Sequence, residues 1–440
     1  MSEIRDSAFV RAAGPVEARE RFVSLDLLRG IAILGILVMN IYAFAMPFIA
    51  YTNPLRMGGT EPWNIGTWIF THILFDQKFI SIFAMMFGAG IVLMSGRAES
   101  GGNKPAGFYY RRQFWLVVIG AIHGYLIWIG DILFMYALIG MLAYLFRKRT
   151  PRTLIIIACF LLPFTLLFNY GNAYQTTKMM GMVAEVEVLI EQGEELDDEQ
   201  QQLLKDWEGM RTFMMPTDED IANEVDIYRG DYIGIVQHRA PIIAMMQLFF
   251  VFGYGLFRVG GLMLIGMAMM KLGVFTAQRS TAFYTRLMLV GYGLGLPMTV
   301  FSAIDLYNHD FDTLYALTTG GFANYFGSII VALGHIGLVM LIAKSGVLAG
   351  LMSRFAAVGR MALTNYLTHS VVLTTVFYGY GLGLFGSVPR LWQMAFVAAV
   401  IGFQLWFSTW WLERYRFGPV EWLWRSVTYW RPQRMRRPTS

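Results

Sequence analysis

The stretch LDLLRGIAILGILVMNIYAFAMP, residues 25–47, is apolar except for Asp26 and Arg29 at its start and Asn40 near its end. About 20 such residues cross the roughly 30 Å of hydrocarbon in a bilayer, so the stretch reads as a transmembrane helix. Its apolar run is too long for a signal-peptide core and no small-residue cleavage site accompanies it, so it is expected to stay as the first span. Further segments read the same way: Trp68–Met94, Phe114–Ile129, Ile132–Phe146, Thr153–Phe168, Leu256–Lys271, Arg286–Ile304, Phe322–Ala343, Arg360–Phe377 and Leu391–Leu412. The expected fold is an all-α, polytopic membrane helix bundle of about ten transmembrane helices. Composition agrees, because 56% hydrophobic and 15% charged residues leave too little polar surface for a soluble globule. Alternating segments of about ten residues, the mark of a membrane β-barrel, do not occur.

Residues 1–29, 97–112, 147–152, 271–286, 344–360 and 413–440 hold 26 of the 35 Lys and Arg, and they fall in alternate loops. Cytoplasmic loops carry such an excess, so both termini are expected in the cytoplasm and the protein in a plasma (bacterial inner) membrane. The chain then divides into a cytoplasmic tail over 1–24, transmembrane helices 1–5 over 25–170, and an acidic extracytoplasmic cap over 171–240. An interfacial helix and transmembrane helices 6–10 follow over 241–412, then a basic cytoplasmic tail over 413–440. The cations are dispersed over many loops, which speaks for anionic headgroups and topogenesis and against nucleic acid. A lone cysteine, Cys159, can form neither an intrachain disulfide nor a thiolate metal site.

Residues 171–240 carry sixteen Asp and Glu against five Lys and Arg. Helical spacing around Met179–Ile190 and Gln200–Leu204, with a capping box at Thr217-Asp-Glu-Asp220 opening a helix through Ile227, predicts a small helical lid. A solvated acidic spacer is the alternative. The apolar stretch after it, Ala240 to Gly255, ends at Gly253-Tyr-Gly255 and reads as the interfacial helix, which puts Arg258 at the outer edge of the sixth span.

Ionisable side chains at membrane depth cost about 2.5–3.5 kcal/mol each on insertion scales and call for a reason. Asp26 and Arg29, three apart, can pair at a helix start. Asn40 can hydrogen-bond a neighbouring helix. His72 and Asp76, four apart, can put a carboxylate behind an imidazole, with Lys78 beside them. A structural ion pair at a helix break explains the same residues. His123 and Asp131 occupy neighbouring levels across the Gly130-Asp131 hairpin. His335 lies among small residues and reads as packing, and His369, near Asn365 and Arg360, as part of a core network. No phosphate loop, dinucleotide fingerprint, His-Glu-x-x-His or Gly-x-Ser-x-Gly occurs, and no metal site is expected.

The string Leu25-Asp26-Leu27-Leu28-Arg29-Gly30-Ile31-Ala32 occurs together with Met39-Asn40, Phe75-Asp76-x-Lys78-Phe79, Phe87-Gly88 and Gly130-Asp131-Ile132-Leu133. Toward the C-terminus come Gly359-Arg360-Met361-Ala362-Leu363-Thr364-Asn365-Tyr366 and Gly418-Pro419-x-Glu421-Trp422-x-Trp424-Arg425. These motifs resemble the YeiB-type family of bacterial membrane proteins over nearly the whole chain. More distantly, the Asp-x-x-Arg-Gly opening, Asn40 and Trp63-Asn64 resemble the transmembrane acyltransferase superfamily that includes heparan-α-glucosaminide N-acetyltransferase. That resemblance implies transfer of an acyl group from cytosolic acyl-CoA to an acceptor across the membrane. The superfamily has a catalytic His shortly before its Trp-Asn pair, where this chain has Gly59-Thr60-Glu61-Pro62, so His72 or His123 would have to take its place.

Acyl transfer needs a base, donors for a tetrahedral oxyanion, and cations for the CoA phosphates. The expected assignments are His72 with Asp76 as the base, His123 as its substitute, Asn40 and Lys78 as oxyanion donors, and Arg111, Arg112 and Arg360 as phosphate partners. Asp26, Arg29, Asp131, Arg258, Asn365 and His369 are further candidate binding residues. The expected partners are the lipid bilayer, acyl-CoA as donor, a glycan, lipid or small-molecule acceptor, and a second copy of the chain in a homodimer. The competing expectation is a transporter or lipid-handling protein without covalent chemistry, whose path His123, Asp131, Arg258 and His369 line.

Overall fold

The computed structural model describes residues 23–100 and 106–437, so most of the tail expected over 1–24 lies outside the described residues. Helix α1, Val23–Ala45, occupies the centre: 78% of its most apolar window is buried, against 22% for α7, Pro151–Glu191, on the periphery. Between them come α2 Ile49–Thr52, α3 Pro62–Leu74, α4 Lys78–Ser100, α5 Ala106–Ile122 and α6 Leu133–Ala143. After α7 follow α8 Asp198–Met214, α9 Asp218–Arg229, α10 Tyr232–Phe250, α11 Gly260–Lys271 and α12 Thr281–Asn308. The chain closes with α13 Thr313–Leu317, α14 Gly321–Ser345, α15 Ala349–Arg360, α16 Ala362–Phe377, α17 Arg390–Arg414 and α18 Pro419–Tyr429. No strand occurs among the described residues, only a single bridge between Tyr415 and Arg436.

Among the described residues seven helices are long and apolar enough to cross a membrane: α1, α3 running into α4, α7, α10 running into α11, α12, α14 and α17. Helices α5, α6 and α16 are shorter and pack among them. Phe160, Leu167, Leu289, Phe301 and Trp406 point outward and exposed, the surface a bilayer solvates. The protein is a multi-pass membrane protein.

Small residues let the helices meet backbone to backbone. A Cβ on Gly30 of α1 would run into the Phe355 carbonyl of α15, and one on Gly359 of α15 into the Asp26 carbonyl of α1. Gly88 of α4 and Gly266 of α11 form the same reciprocal contact with Met263 and Met85. With lipid tails as apolar as leucine, this close packing carries helix association in the membrane.

Two boundaries differ from the sequence expectation. Helix α7 does not end at Phe168 but runs to Glu191, because the acidic second half simply continues the helix past the apolar layer. Nor does the chain break at Gly253-Tyr-Gly255 into an interfacial helix and a span: Tyr232–Lys271 is continuous, widened to a π-helix over Val251–Val259. A helix stop there would strand backbone groups where no water can reach them, so the chain changes pitch instead. Arg258 consequently lies deep in the bundle with 0% exposure, not at an outer edge.

The acidic insert folds as a lid of α8, α9 and the end of α7. Asp197 and Thr217 each form a capping box, the latter as expected from the sequence. Arg211, paired within α8 with Glu208 at 2.7 Å, joins α8 to α9 through Asp220 at 2.8 Å and holds the Asp220 carboxyl down at about 2. Arg56 reaches Asp218 at 2.9 Å, and Arg229 donates to the Phe385 carbonyl at 2.8 Å, which fastens the lid to the loops below.

Candidate functional site

The bundle buries two polar clusters. The first forms where α3 stops at Leu74 and α4 begins at Lys78, with Gln77 in the left-handed region at φ 60°. This break turns Asp76 away from the helical position that would seat it squarely on His72. The carboxylate instead accepts from Asn324 Nδ2 at 2.8 Å and Tyr51 Oη at 3.2 Å, leaving His72 Nδ1 at 3.5 Å. His72 stacks on Trp68 at 4.6 Å, and its Nε2 is buried without a partner.

Lys78, fully buried, donates to the His72 carbonyl at 2.6 Å and to Asn324 Oδ1 at 2.9 Å. Arg258 donates to the Tyr325 carbonyl at 3.0 Å, Ser328 Oγ at 2.8 Å and Ser81 Oγ at 3.3 Å, and lies 4.3 Å over the Tyr325 ring. Lys78 thus lies within electrostatic reach of both Asp76 and Arg258, while the hydrogen-bond acceptors of the two cations are neutral. Asn324 joins them and was not singled out in the sequence; it stands on a different helix with no motif around it.

The second cluster forms around a hairpin. Helix α5 ends in a π-turn over His123–Ile127, and α6 with its 3-10 extension, Leu133–Phe146, spans only about 21 Å, less than the bilayer. The Gly130-Asp131 hairpin joins the two helices. Helix α10 covers it: Tyr232 Oη donates to the Leu126 carbonyl at 2.8 Å, and Arg239 to those of Tyr125 at 3.2 Å and Ile127 at 2.7 Å. These donors satisfy carbonyls that the wide turn leaves open.

Within this hairpin His123 Nδ1 lies 2.6 Å from Asp131 Oδ2, and Asp131 Oδ1 accepts from the Phe134 amide at 2.8 Å. On the other side His123 Nε2 lies 2.8 Å from Ser370 Oγ in the middle of α16. All three side chains are buried, walled by Tyr366 with its ring 5.3 Å from the imidazole and by Trp128 at 6.3 Å. The sequence reading brought His123 and Asp131 together and passed over Ser370. The one signal was adjacency, since Ser370 directly follows His369.

His369 itself is bonded to Gln404 Oε1 at 2.8 Å, while Gln404 donates to the Asn365 carbonyl and Asn365 Nδ2 to the Val358 carbonyl and Ser408 Oγ. This is the core network expected, and it ties α16 to α17. His335 is likewise packed, against Tyr292 Oη at 2.8 Å and the Leu74 carbonyl at 3.1 Å. Asn40 is half-buried on α1 and takes part in none of these bonds.

At the opposite end of the bundle Asp26 pairs with Arg29 at 3.1 Å, as expected. Arg112 lies 3.7 Å over the Trp424 ring, within electrostatic reach of Arg29 and Arg425. Arg111, next to Arg112 on α5, and Arg360, at the end of α15, are half-buried. Glu421 caps α16 by accepting from the Leu363 amide at 2.7 Å and the Thr364 amide at 3.1 Å, which accounts for the Gly-Pro-x-Glu motif. Arg112 and His123 are eleven residues apart on one helix, a spacing that returns to the same face about 16 Å higher.

A family model described as "Protein of unknown function (DUF418)" matches residues 269–431. "Uncharacterized protein YeiB" of Escherichia coli (strain K12) is 31% identical over 409 residues, 93% of this chain and 96% of that one. "Uncharacterized protein YxaH" of Bacillus subtilis (strain 168) is 31% identical over 435 residues, 95% and 97% of the two chains. A 39.9 kDa protein from the amylase 3′ region of Bacillus acidopullulyticus is 24% identical over 94% of this chain and 96% of its own. No solved structure matches. Relatives 31% identical over more than nine-tenths of both chains make this chain a member of the YeiB-type family of membrane proteins.

Proposed function

We propose that this protein is an integral-membrane acyltransferase. It moves an acyl group, acetyl in the simplest case, from acyl-CoA bound at the cation-rich end to a glycan, lipid or small-molecule acceptor approaching from the lid side. The observation that carries this reading is His123, whose Nδ1 is held by a carboxylate while Nε2 faces a hydroxyl in a buried setting. An imidazole fixed in that way is a general base, with Asp131 setting the tautomer and steadying the charge that forms. His72 has no comparable support, because Asp76 is engaged by Asn324 and Tyr51.

Arg29, Arg112 and Arg425 gather charge suited to the CoA phosphates. From Arg112, about 16 Å along α5 reaches the level of His123, a length that an extended pantetheine arm covers. The test is release of free CoA thiol from acetyl-CoA by the purified protein in lipid nanodiscs, across a panel of hydroxyl and amine acceptors. Turnover above the empty-nanodisc rate is expected; wild-type protein that neither binds acetyl-CoA nor releases thiol would overturn the reading.

A transport function is favoured by one observation, the burial of two cations, Lys78 and Arg258, within electrostatic reach of each other, which suits the passage of an anion. Anion counterflow in proteoliposomes without thiol release would establish it in place of acyl transfer.

The direction of transfer rests on the Lys and Arg asymmetry, which puts both termini in the cytoplasm of a bacterial plasma membrane and the lid outside. Glu195 is exposed in the turn between α7 and α8, so Glu195→Cys should react with a membrane-impermeant maleimide on intact cells. Reaction only after permeabilisation would invert the topology and the donor side with it.

A further inference from the structure

We propose that Ser370 is a nucleophile and that the acyl group passes through an ester on its Oγ. The inference rests on the acyltransferase reading and adds its covalent step. Hydroxyls inside helices ordinarily return their hydrogen bond to a carbonyl one turn back. On α16 Thr368, Thr374 and Thr375 all do so, to Thr364, Ser370 and Val371. Ser370 does not: its Oγ points across to α5 and meets His123 Nε2 at 2.8 Å.

The remaining members complete a relay. Asp131 takes the Nδ1 hydrogen at 2.6 Å and is itself pinned by the Phe134 amide, so Nε2 is left unprotonated and faces the serine hydrogen. Serine, imidazole and carboxylate in this order form a triad recognised by geometry and not by chain order. Nothing in the sequence announces it, since α16 has no nucleophile elbow.

In the first half-reaction Ser370 Oγ attacks the thioester carbonyl carbon and its proton passes to His123 Nε2. The carbon–sulfur bond breaks, and the imidazolium proton goes to the departing sulfur, giving free CoA thiol and an acyl ester on Ser370. In the second, the acceptor oxygen or nitrogen attacks that ester, its proton goes to Nε2, and the proton returns to Ser370 Oγ as the acylated acceptor leaves. No oxidant or further reactant is involved. Two separated half-reactions let CoA depart toward the cation-rich end before an acceptor arrives beneath the lid, so neither substrate has to coexist with the other in a buried site.

The experiment is a single incubation of the full-length protein in nanodiscs with acetyl-CoA and no acceptor, followed by thiol titration and peptide mass spectrometry. One CoA released per protein is expected, with one acetyl group on the peptide containing Ser370 and none in His123→Ala. Ser370→Ala should lose both the burst and the adduct, with turnover down by more than about 10³-fold; Ser370→Cys should keep an adduct as a thioester. An adduct on another residue, or thiol release by wild type without an adduct, overturns the acyl-serine and leaves acyl transfer standing. Full turnover by a folded Ser370→Ala does the same, and should that variant fail to fold, the position of the adduct on wild type decides alone. No thiol release with any acceptor overturns both readings.

Discussion

His123→Ala brings thiol release down to the empty-nanodisc rate while the purified protein keeps its elution profile and its melting temperature within a few degrees. General-base catalysis contributes about 10²- to 10⁴-fold, and the loss here should reach the upper end, because the same ring serves both half-reactions. Asp131→Asn should fall between this variant and wild type: the ring remains, but an amide can present the wrong hydrogen-bonding atom to Nδ1 and no longer balances the imidazolium. His72→Ala is the comparison, and it should keep most of the turnover because Asp76 does not seat that ring. If His72→Ala is inactive and His123→Ala is not, the base belongs to the first cluster and the role of Asp131 lapses with it.

The second large effect is on stability. Asp76 lies within electrostatic reach of Lys78, both deep in the bundle. Asp76→Asn removes the negative charge and keeps the size, so it leaves the buried Lys78 without that carboxylate, a change that costs about 3–5 kcal/mol when one partner of a buried pair is lost. The new amide nitrogen would also face either Asn324 Nδ2, donor against donor, or Tyr51 Oη, which would have to turn from donor to acceptor. Thermal unfolding in detergent should show a drop of many degrees. Adding Lys78→Met to that background should restore much of it, because a neutral side chain of similar length removes the excess charge. A fully stable Asp76→Asn protein would mean that Lys78 is held neutral, and the charge balance would have to be redrawn.

What the sequence made legible was local. Asp26 and Arg29, the capping box at Thr217, and the His123–Asp131 pair all join residues within a turn or across one tight hairpin, where spacing dictates proximity. Apolar length likewise gave the membrane spans. The unread parts are the long-range ones: Ser370 meets a histidine 247 positions away, and Asn324 a carboxylate 248 away. Periodicity says that a helix crosses a membrane and which face is polar, but not which other helix that face will meet. Helix ends were misread for a related reason. At Gly253-Tyr-Gly255 the soluble-protein rule that glycine ends helices gives way to the need to satisfy every backbone group in hydrocarbon. At Asp76 the reverse happened, and four-residue spacing suggested a helical pair that the break after Leu74 loosens to a 3.5 Å contact.

The reciprocal contact of Gly30 with Gly359 has a consequence for the order of assembly. Translation delivers α1 to the membrane first, yet the helix it nests against, α15, is made only in the last quarter of the chain. The Gly30 face of α1 thus waits through most of synthesis for its partner, while its Gly35 face can already seat Phe79 of α4. Docking that joins such distant residues has to meet the loop-closure entropy before it gains any contact. The seam between α1 and α15 therefore closes late, onto a helix whose other side is already packed.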